Sequence, residues 1–275
     1  MIQLVTDSSA DLPKEWLDKY NISVVPLTIH IDGEEYLEGK TLKPQEFCEK
    51  MFNSRELPKT SQPSPQAFAD CFEALAGKGP ILCLTISSVL SGTYQSACIG
   101  RDISGAEVTV FDTLAGSLAH GFQLIEAAKL AEQGENVDKI VEFLEEYKKH
   151  SNILILLDTL ENVIKGGRLG RFQGSVAKIL DIKVLLEGIK GKIEVVEKVR
   201  GKKRFLERAI EIIGERKADF ANTVFGITHI DNLRDAEFLK NEIMKRYRPK
   251  EVIINYMGAT MGTYAGRGGM IVSFY

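Results

Sequence analysis

The hydroxyl side chains best placed for chemistry lie in ISSVLSGTYQSA, residues 86–97. An apolar run ends there in closely spaced hydroxyls around one glycine, and the sequence then continues with a helical pattern. Backbone amides at the start of a helix point outward unpaired and carry the positive end of the helix dipole. The segment therefore predicts a cradle for a carboxylate or a phosphate that needs no charged side chain.

The same hydroxyls allow two other interpretations. Ser87, Ser88 and Ser91 could include the nucleophile of a serine hydrolase, although the sequence has no G-x-S-x-G elbow and no histidine tied to them by spacing. Catalytic triads assemble in space rather than in sequence, so a hydrolase stays an alternative. The hydroxyls could also serve only turns and helix caps.

The segment GEEYLEGKT, residues 33–41, invites a P-loop interpretation that its spacing contradicts. Five residues rather than four separate Gly33 from Gly39, and three glutamates would line a loop meant for phosphate. We interpret it as a solvated turn after an extended segment. No nucleotide or other cofactor is expected.

The cysteines and histidines are scattered and predict no metal site, because a metal site needs clustered ligands. We expect reduced, buried thiols at all four cysteines. The residues concerned are Cys48, Cys71, Cys83 and Cys98, with His30, His120, His150 and His229.

Composition limits the class of protein. The chain has 275 residues, 44% of them hydrophobic, with a formal net charge of -3, which suits about two domains. It has no basic excess to neutralise phosphates, which argues against a nucleic-acid partner. The sequence shows neither a stretch of about 20 apolar residues nor a charged N-terminal leader. We expect a cytoplasmic protein without a stable membrane anchor.

Strand and helix patterns alternate through residues 1–150 and predict a parallel sheet covered on both faces. Polar turns follow three of its strands, at 6–9, 87–93 and 112–113, and ligands gather at such strand ends. Asp11 is expected to cap the helix that follows it. Residues 151–275 predict a second α/β domain with a mixed or antiparallel sheet, including a hairpin at 185–199.

Six motifs along the chain resemble those of the DegV family, in family order. They are TDSSADLP (6–13), KTSQPSP (59–65), ISSVLSGTYQSA (86–97), FDTLAGS (111–117), TLENVIKGGRLGR (159–171) and MGATMGTYAGRGG (257–269). This family includes the fatty-acid-binding subunits of bacterial fatty acid kinase. The resemblance implies a two-domain α/β fold that holds a long-chain fatty acid, with its tail buried and its carboxylate at the domain interface.

The resemblance also implies roles for individual residues. The ligand-binding set would be Thr60, Ser61, Ser91, Gly92, Thr93 and Tyr264, and the contacts to a partner or phosphate would be Arg168, Arg200 and Arg267. Such a protein is not itself an enzyme. It resembles a carrier in phospholipid metabolism that presents the acid to a separate fatty acid kinase catalytic subunit. A carrier of another amphipathic anion, and a serine hydrolase using Ser91, are the alternatives.

One motif departs from the family pattern. Where the family usually has T-H-x-G-P-G, this chain has T-Y-A-G-R-G at 263–268, so that Tyr264 replaces a histidine and Arg267 replaces a proline. Histidine titrates near neutral pH, whereas a tyrosine hydroxyl donates a hydrogen bond and rarely changes charge. The substitution is compatible with carboxylate binding and puts the handoff to a kinase in question. Arg267 could add a positive charge near the ligand or lie at the surface.

Overall fold

The computed structural model describes residues 1–169 and 182–275, which form strands and helices in alternation. The strands are β1 (Gln3–Asp7), β2 (Ser23–Val25), β3 (Thr28–Ile31), β4 (Glu34–Leu37), β5 (Lys59–Ser61), β6 (Ile81–Thr85), β7 (Val108–Asp112), β8 (Asn152–Leu157), β9 (Ile182–Ile189), β10 (Lys192–Arg200), β11 (Val224–His229), β12 (Glu251–Tyr256) and β13 (Met270–Phe274). The helices are α1 (Lys14–Lys19), α2 (Pro44–Asn53), α3 (Pro65–Leu75), α4 (Thr93–Ser104), α5 (Ser117–Glu132), α6 (Val137–His150), α7 (Glu161–Lys165), α8 (Lys202–Arg216), α9 (Leu233–Tyr247) and α10 (Ala259–Ala265). One turn of 3₁₀ helix, Ser8–Ala10, follows β1.

The first sheet has the strand order β2-β1-β6-β7 and is parallel throughout. Alternate residues of β6 enter two different cores, because neighbouring side chains on a strand point to opposite faces. Ile81 and Cys83 pack with α3 and α4, whereas Leu82 and Leu84 pack with α5 and α6. The predicted parallel sheet, covered on both faces, is confirmed.

The second sheet has the order β10-β9-β8-β13-β11-β12. Only its β11–β12 pair is parallel, so the predicted mixed sheet is confirmed. One of its faces packs on α8 and α9. The two large sheets take their strands from either side of residue 150, and the domain division at that residue stays a prediction.

A third sheet, antiparallel and ordered β4-β3-β5, corrects the interpretation of residues 33–41 as a solvated turn. Asp32 and Gly33 both have positive φ, 49° and 88°, and form a two-residue turn that returns β4 along β3. An Asp-Gly pair between extended runs favours this hairpin. At the end of β4, Glu38 is only 5% exposed.

Two further differences from the sequence expectations concern the start of α1 and the presence of α10. Asp11 does not cap α1, whose N-cap is Pro13, because the Asp11 carboxylate turns inward to Ser117 and Gly258. Helix α10 is absent from the sequence expectations because it is short and lies in a glycine-rich segment, bounded by Gly258 and Gly266. Gly262 lies on α10 against Phe47 and Ile230, where a side chain would clash. In the described ranges, every helix is too short or too polar to cross a bilayer.

The four cysteines carry free thiols. Cys48 and Cys83 are buried, whereas Cys71 and Cys98 are half-buried. The predicted burial is therefore confirmed for two of the four cysteines. Desolvation raises the pKa of Cys48 to about 11, which keeps this thiol protonated at neutral pH. Over residues 1–169 and 182–275, no group of three or more His, Cys, Asp or Glu side chains is arranged to hold a metal ion.

Candidate functional site

A cavity of about 40 Å³ lies where the two large sheets and the three-stranded sheet meet. Residues far apart in sequence line it, and five of them carry polar side chains. The lining residues are Leu27, Thr60, Ile86, Leu90, Ser91, Arg168, Ile193, Thr260, Met261 and Tyr264. The tertiary fold thus brings Thr60, Ser91 and Tyr264 together, with Arg168 beside them.

Ser91 reaches the cavity from the turn between β6 and α4. The backbone amides of Leu90 and Ser91 both donate to the carbonyl of Ser87, at 3.0 and 3.1 Å, which forms the turn. The Ser91 hydroxyl lies 2.9 Å from the hydroxyl of Thr93, and the Thr93 amide donates to it at 3.4 Å. Thr93 is fully buried behind Ser91 and orients it rather than lining the cavity.

Gly92 is the N-cap of α4 and is exposed. A Cβ at this position would overlap Oε1 of Gln62, whose amide nitrogen donates to Ser96 at 2.9 Å. Gly92 therefore lets the chain carrying Gln62 approach the start of α4 closely. It lies next to the cavity-lining Ser91 without lining the cavity itself.

Thr60 and Ser61 point to opposite faces of β5, because side chains alternate along a strand. The Thr60 hydroxyl lies 2.6 Å from the hydroxyl of Tyr264, on the cavity side. Ser61 is exposed, and its hydroxyl lies 3.2 Å from Nε2 of His30. The structure thus places Ser61, expected among the ligand-binding residues, outside the cavity.

Arg168 lines the cavity, although the resemblance implied a contact to a partner or phosphate. Its Nε donates to the carbonyl of Leu90 at 3.2 Å, and its NH1 donates to the carbonyl of Gly166 at 2.6 Å. Its guanidinium carbon lies 4.9 Å from the centre of the Tyr264 ring. It brings a full positive charge to a site that otherwise offers hydroxyls.

The two other arginines lie elsewhere. Arg267 is 69% exposed, stacks on Phe52 at 4.1 Å and faces Asp231 at 3.7 Å. Arg200 is exposed at the end of β10, seven residues beyond the cavity-lining Ile193. Seven strand residues span roughly 20 Å. Neither arginine is placed to contact a head group in the cavity.

A second cavity of about 30 Å³ continues from the first and shares Leu90, Ile193 and Met261 with it. Its other walls are almost wholly apolar. They are Leu114, Ala115, Gly116, Ile153, Ile155, Gly188, Gly191, Lys192 and Ile271. Together the two cavities have a polar end at Thr60 and Ser91 and an apolar end against β8 and β13.

The three serines proposed as alternative nucleophiles differ in their surroundings. The Ser87 hydroxyl donates to the carbonyl of Gly191 at 2.9 Å, and Ser88 is exposed. In the part of the chain that the structure describes, no histidine contacts Ser87, Ser88 or Ser91. The histidines contact other groups: His30 faces Ser61, His120 faces Thr6, His150 faces Glu146 and His229 accepts from the Asn232 amide.

A larger cleft of about 610 Å³ borders the start of α10, at Gly258 and Ala259. Three buried carboxylates line it, those of Asp7, Asp11 and Glu38. The carboxyl groups of Asp11 and Glu38 already bind Ser117, Gly258 and Thr260 of the chain itself, whereas the smaller cavity offers hydroxyls and the Arg168 guanidinium to an anion, so we place the candidate site in the smaller cavity.

Sequence reasoning missed Thr260 and Met261, which line the cavity from α10, and Glu38 and Asp11, which bind the start of that helix. Recognising residues 259–265 as a helix would have placed Thr260 and Tyr264 on one face, four residues apart. No local signal in the sequence links Glu38 or Asp11 to this helix.

Comparison with known proteins places the chain among its relatives. The family model described as "Uncharacterised protein, DegV family" matches residues 1–275. The chain belongs to the DegV family. A DegV domain-containing protein of Caldanaerobacter subterraneus is 35% identical over 271 residues, which cover 96% of this chain and 95% of that protein.

Two solved DegV structures are similar over nearly their whole length. A structure described as showing fatty acid binding of a DegV family protein from Thermus thermophilus has a TM-score of 0.93 and 30% identity, and the match covers 100% of this chain and 99% of that one. A DegV family protein from Eubacterium eligens, loaded with heptadecanoic acid, has a TM-score of 0.87 and 25% identity, with 99% of each chain covered. The two-domain α/β DegV fold is therefore shared.

Proposed function

We propose that this chain binds one long-chain fatty acid, with the carboxylate in the cavity at Thr60, Ser91 and Tyr264. The observation that carries the proposal is the convergence of three hydroxyls and the Arg168 guanidinium at the polar end of an otherwise apolar cavity. The related proteins from T. thermophilus and E. eligens, described as binding fatty acids, support it.

The physical chemistry of the site suits an ionised carboxylate. Hydroxyl donors and a guanidinium offset the hydration that a carboxylate loses on burial, and charge-assisted hydrogen bonds are the stronger kind. Each buried methylene of the tail contributes about 0.8 kcal/mol. Arg168 uses two of its five N–H donors on the carbonyls of Leu90 and Gly166, which leaves donors for the ligand.

A long tail needs more room than the two cavities offer. Their volumes are only about 40 and 30 Å³. The walls that the cavities share must therefore move apart on binding. Met261 is the most adaptable of these side chains, because methionine is unbranched and flexible.

We propose further that the protein is a non-catalytic cytoplasmic carrier, which presents the bound acid to a separate fatty acid kinase catalytic subunit for phospholipid metabolism. Arg200, exposed at the end of β10, is a candidate contact for that subunit. The Tyr264 hydroxyl in place of a histidine leaves carboxylate binding intact and makes transfer to the kinase the step to test.

The first experiment is denaturing extraction of the protein purified from cells, followed by mass spectrometry of the released lipid. We expect about one fatty acid per chain. Protein that arrives empty and takes up no fatty acid on incubation would contradict the binding proposal.

A thermal-shift panel of fatty acids, fatty alcohols and other amphipathic anions then decides the ligand class, because a ligand of the folded state raises Tm with its concentration over Kd. A larger shift with another anion would favour the alternative carrier.

Incubation of the loaded protein with a DegV-partner kinase and ATP tests the carrier role. Loss of the free acid and formation of an acyl phosphate are expected, and no turnover would contradict that role. Labelling by a serine-reactive phosphonate, lost in Ser91→Ala, would favour the hydrolase.

A further inference from the structure

The start of α10 is held by two buried carboxylates from the N-terminal half of the chain. Glu38 and Asp11 are 5% and 7% exposed. The residues they bind, Thr260 and Gly258, lie more than 200 positions later in the sequence. This contact joins the three-stranded sheet and the 3₁₀ turn to the helix that carries Tyr264.

Glu38 binds both the backbone and the side chain of Thr260. Its Oε1 accepts from the Thr260 amide at 2.7 Å, and its Oε2 accepts from the Thr260 hydroxyl at 2.6 Å and from the Ser8 hydroxyl at 2.5 Å. Ser8 in turn accepts from the amide of Leu27 at 3.0 Å. Glu38 thus links Thr260, directly, and Leu27, through Ser8, and both of these residues line the cavity.

Asp11 binds Gly258, the residue that immediately precedes α10. Its Oδ1 accepts from the Gly258 amide at 2.8 Å, and its Oδ2 accepts from the Ser117 hydroxyl at 2.6 Å. The Asp11 carbonyl also accepts from the side chain of Asn255 at 2.8 Å. Gly258 has no room for a side chain, because a Cβ there would lie 2.6 Å from Glu38 Oε1 and 2.7 Å from Asp11 Oδ1.

A helix as short as α10 depends on such anchors. It has seven residues, and isolated helices of that length are unstable in water. Its first amides have no partner within the helix and need acceptors from elsewhere, which the carboxyl oxygens of Glu38 and Asp11 supply. The same helix turns Thr260, Met261 and Tyr264 into the cavity.

We propose that Glu38, assisted by Asp11, is a positioning residue of the ligand site. It holds α10 at the rotation and depth at which Tyr264 meets Thr60 and Thr260 faces the cavity. It does so through the amide and hydroxyl of Thr260 and does not line the cavity itself. The proposal rests on the proposed function for its effect on binding, whereas its effect on α10 is independent of any ligand.

The test compares Glu38→Ala, Glu38→Gln and the control Glu35→Ala. Glu35 lies on β4, three residues before Glu38; its side chain is 67% exposed and faces His30 at 3.8 Å. The amide hydrogen exchange rate of residues 257–265 in the ligand-free protein reports how firmly α10 is held in place. We expect at least tenfold faster exchange in Glu38→Ala and no change in the control, and exchange in α3 is expected to be unchanged in both.

The second readout is the Kd of a fluorescent long-chain fatty acid, measured at a temperature at which every variant is folded. Glu38→Ala is expected to weaken binding at least tenfold. Glu38→Gln is expected to stay within threefold of wild type, because its amide can accept from the Thr260 amide and donate to the Ser8 hydroxyl. A lowered Tm in Glu38→Ala with unchanged exchange and unchanged Kd would show a merely structural role and overturn the proposal.

If Glu38→Ala does not fold, Ser8→Ala replaces it, since Ser8 binds Glu38 without lining the cavity. It is expected to change exchange and Kd in the same direction, and wild-type values for both would overturn the proposal. If wild type binds no fatty acid, the proposed function fails. In that case the amide exchange of residues 257–265 is the measurement that tests whether Glu38 positions α10.

Discussion

At the scale of single residues, the hydroxyls that face the candidate site are hydrogen-bonded to other side-chain hydroxyls. Thr93 holds Ser91, and Tyr264 meets Thr60, so each group that faces the cavity has a partner that orients it. Paired hydroxyls lose less rotational freedom on binding than free ones, which favours a tightly bound carboxylate. Two substitutions test this directly.

Ser91→Ala is expected to weaken fatty acid binding by about 1–3 kcal/mol, the cost of leaving a buried polar group of the ligand without its partner. The fold should persist, because the turn is made by backbone bonds to the Ser87 carbonyl. Titration of a fluorescent fatty acid measures the Kd. The matched control is Ser61→Ala, which lies on the outer face of β5. Equal affinity in wild type and Ser91→Ala, or a larger loss in the control, would remove Ser91 from the site.

Tyr264→Phe is expected to weaken binding by about 1 kcal/mol, because it removes one hydroxyl and leaves Thr60 without its partner. The ring stays, and so does its contact with Arg168. The same titration measures the effect, with Tyr256→Phe as the control, since Tyr256 does not line the cavity. Unchanged affinity would show that the ring alone matters at this position.

At the scale of elements, the site depends on two short helices that pack together. The ring of Tyr264 on α10 lies directly over Gly166, just after α7, and a Cβ on Gly166 would overlap it. Asn162 of α7 donates to the carbonyl of Thr263 at 2.9 Å, which fixes the register of the pair. The position of Tyr264 is therefore set by the packing of α7 and α10 as well as by the anchors at the start of α10.

Gly166→Ala is expected to displace the Tyr264 ring and to lower stability by about 1–3 kcal/mol, the usual cost of overpacking, with weaker ligand binding. Its φ of -75° suits any residue, so the clash is the only cause. Gly167→Ala is the comparison, because Gly167 has a φ of 70° and open space around it. It should lower Tm through backbone strain alone and leave Kd unchanged. A Kd for Gly166→Ala equal to that of Gly167→Ala would contradict the packing argument.

At the scale of the whole molecule, buried acids connect the N-terminal half to α10. Burial raises the pKa of Asp11 to about 8, with the nearby carboxylates of Glu38 and Asp7 acting in the same direction, against the hydrogen bonds from Ser117 and Gly258. Burial also raises the pKa of Glu38. Among the described residues, no lysine, arginine or histidine forms an ion pair with Asp11.

These raised pKa values predict stability that falls as pH rises. Below about pH 4, Asp11 is protonated in both the folded and the unfolded chain. Between its ordinary value of 3.8 and about 8, the unfolded chain ionises while the folded chain keeps its proton, so the free energy of unfolding falls. Asp11→Asn mimics the protonated form and should remove this part of the decline. Urea unfolding of both proteins from pH 5 to 9 measures it, and parallel curves would contradict the raised pKa.

Local patterns in the sequence determined the two large sheets and most of the helices around them. Long buried runs such as ILCLT and the amphipathic segments between them have one stable arrangement, because the periodicity of apolar residues dictates which face each element buries. The hairpin at 185–199 was predicted in the same way and is present as β9 and β10. The sequence also indicated an anion site at the hydroxyl turn of residues 86–97.

Only the tertiary structure decided which of those residues meet. It separated Thr60 from Ser61, brought Arg168 to the cavity, left Arg200 and Arg267 at the surface, and turned Glu38 from a residue of a supposed solvated loop into a buried anchor. The physical reason is that these contacts join segments many residues apart. Strand alternation, close approach at glycine and the burial of unpaired amides act on them only after the chain has folded.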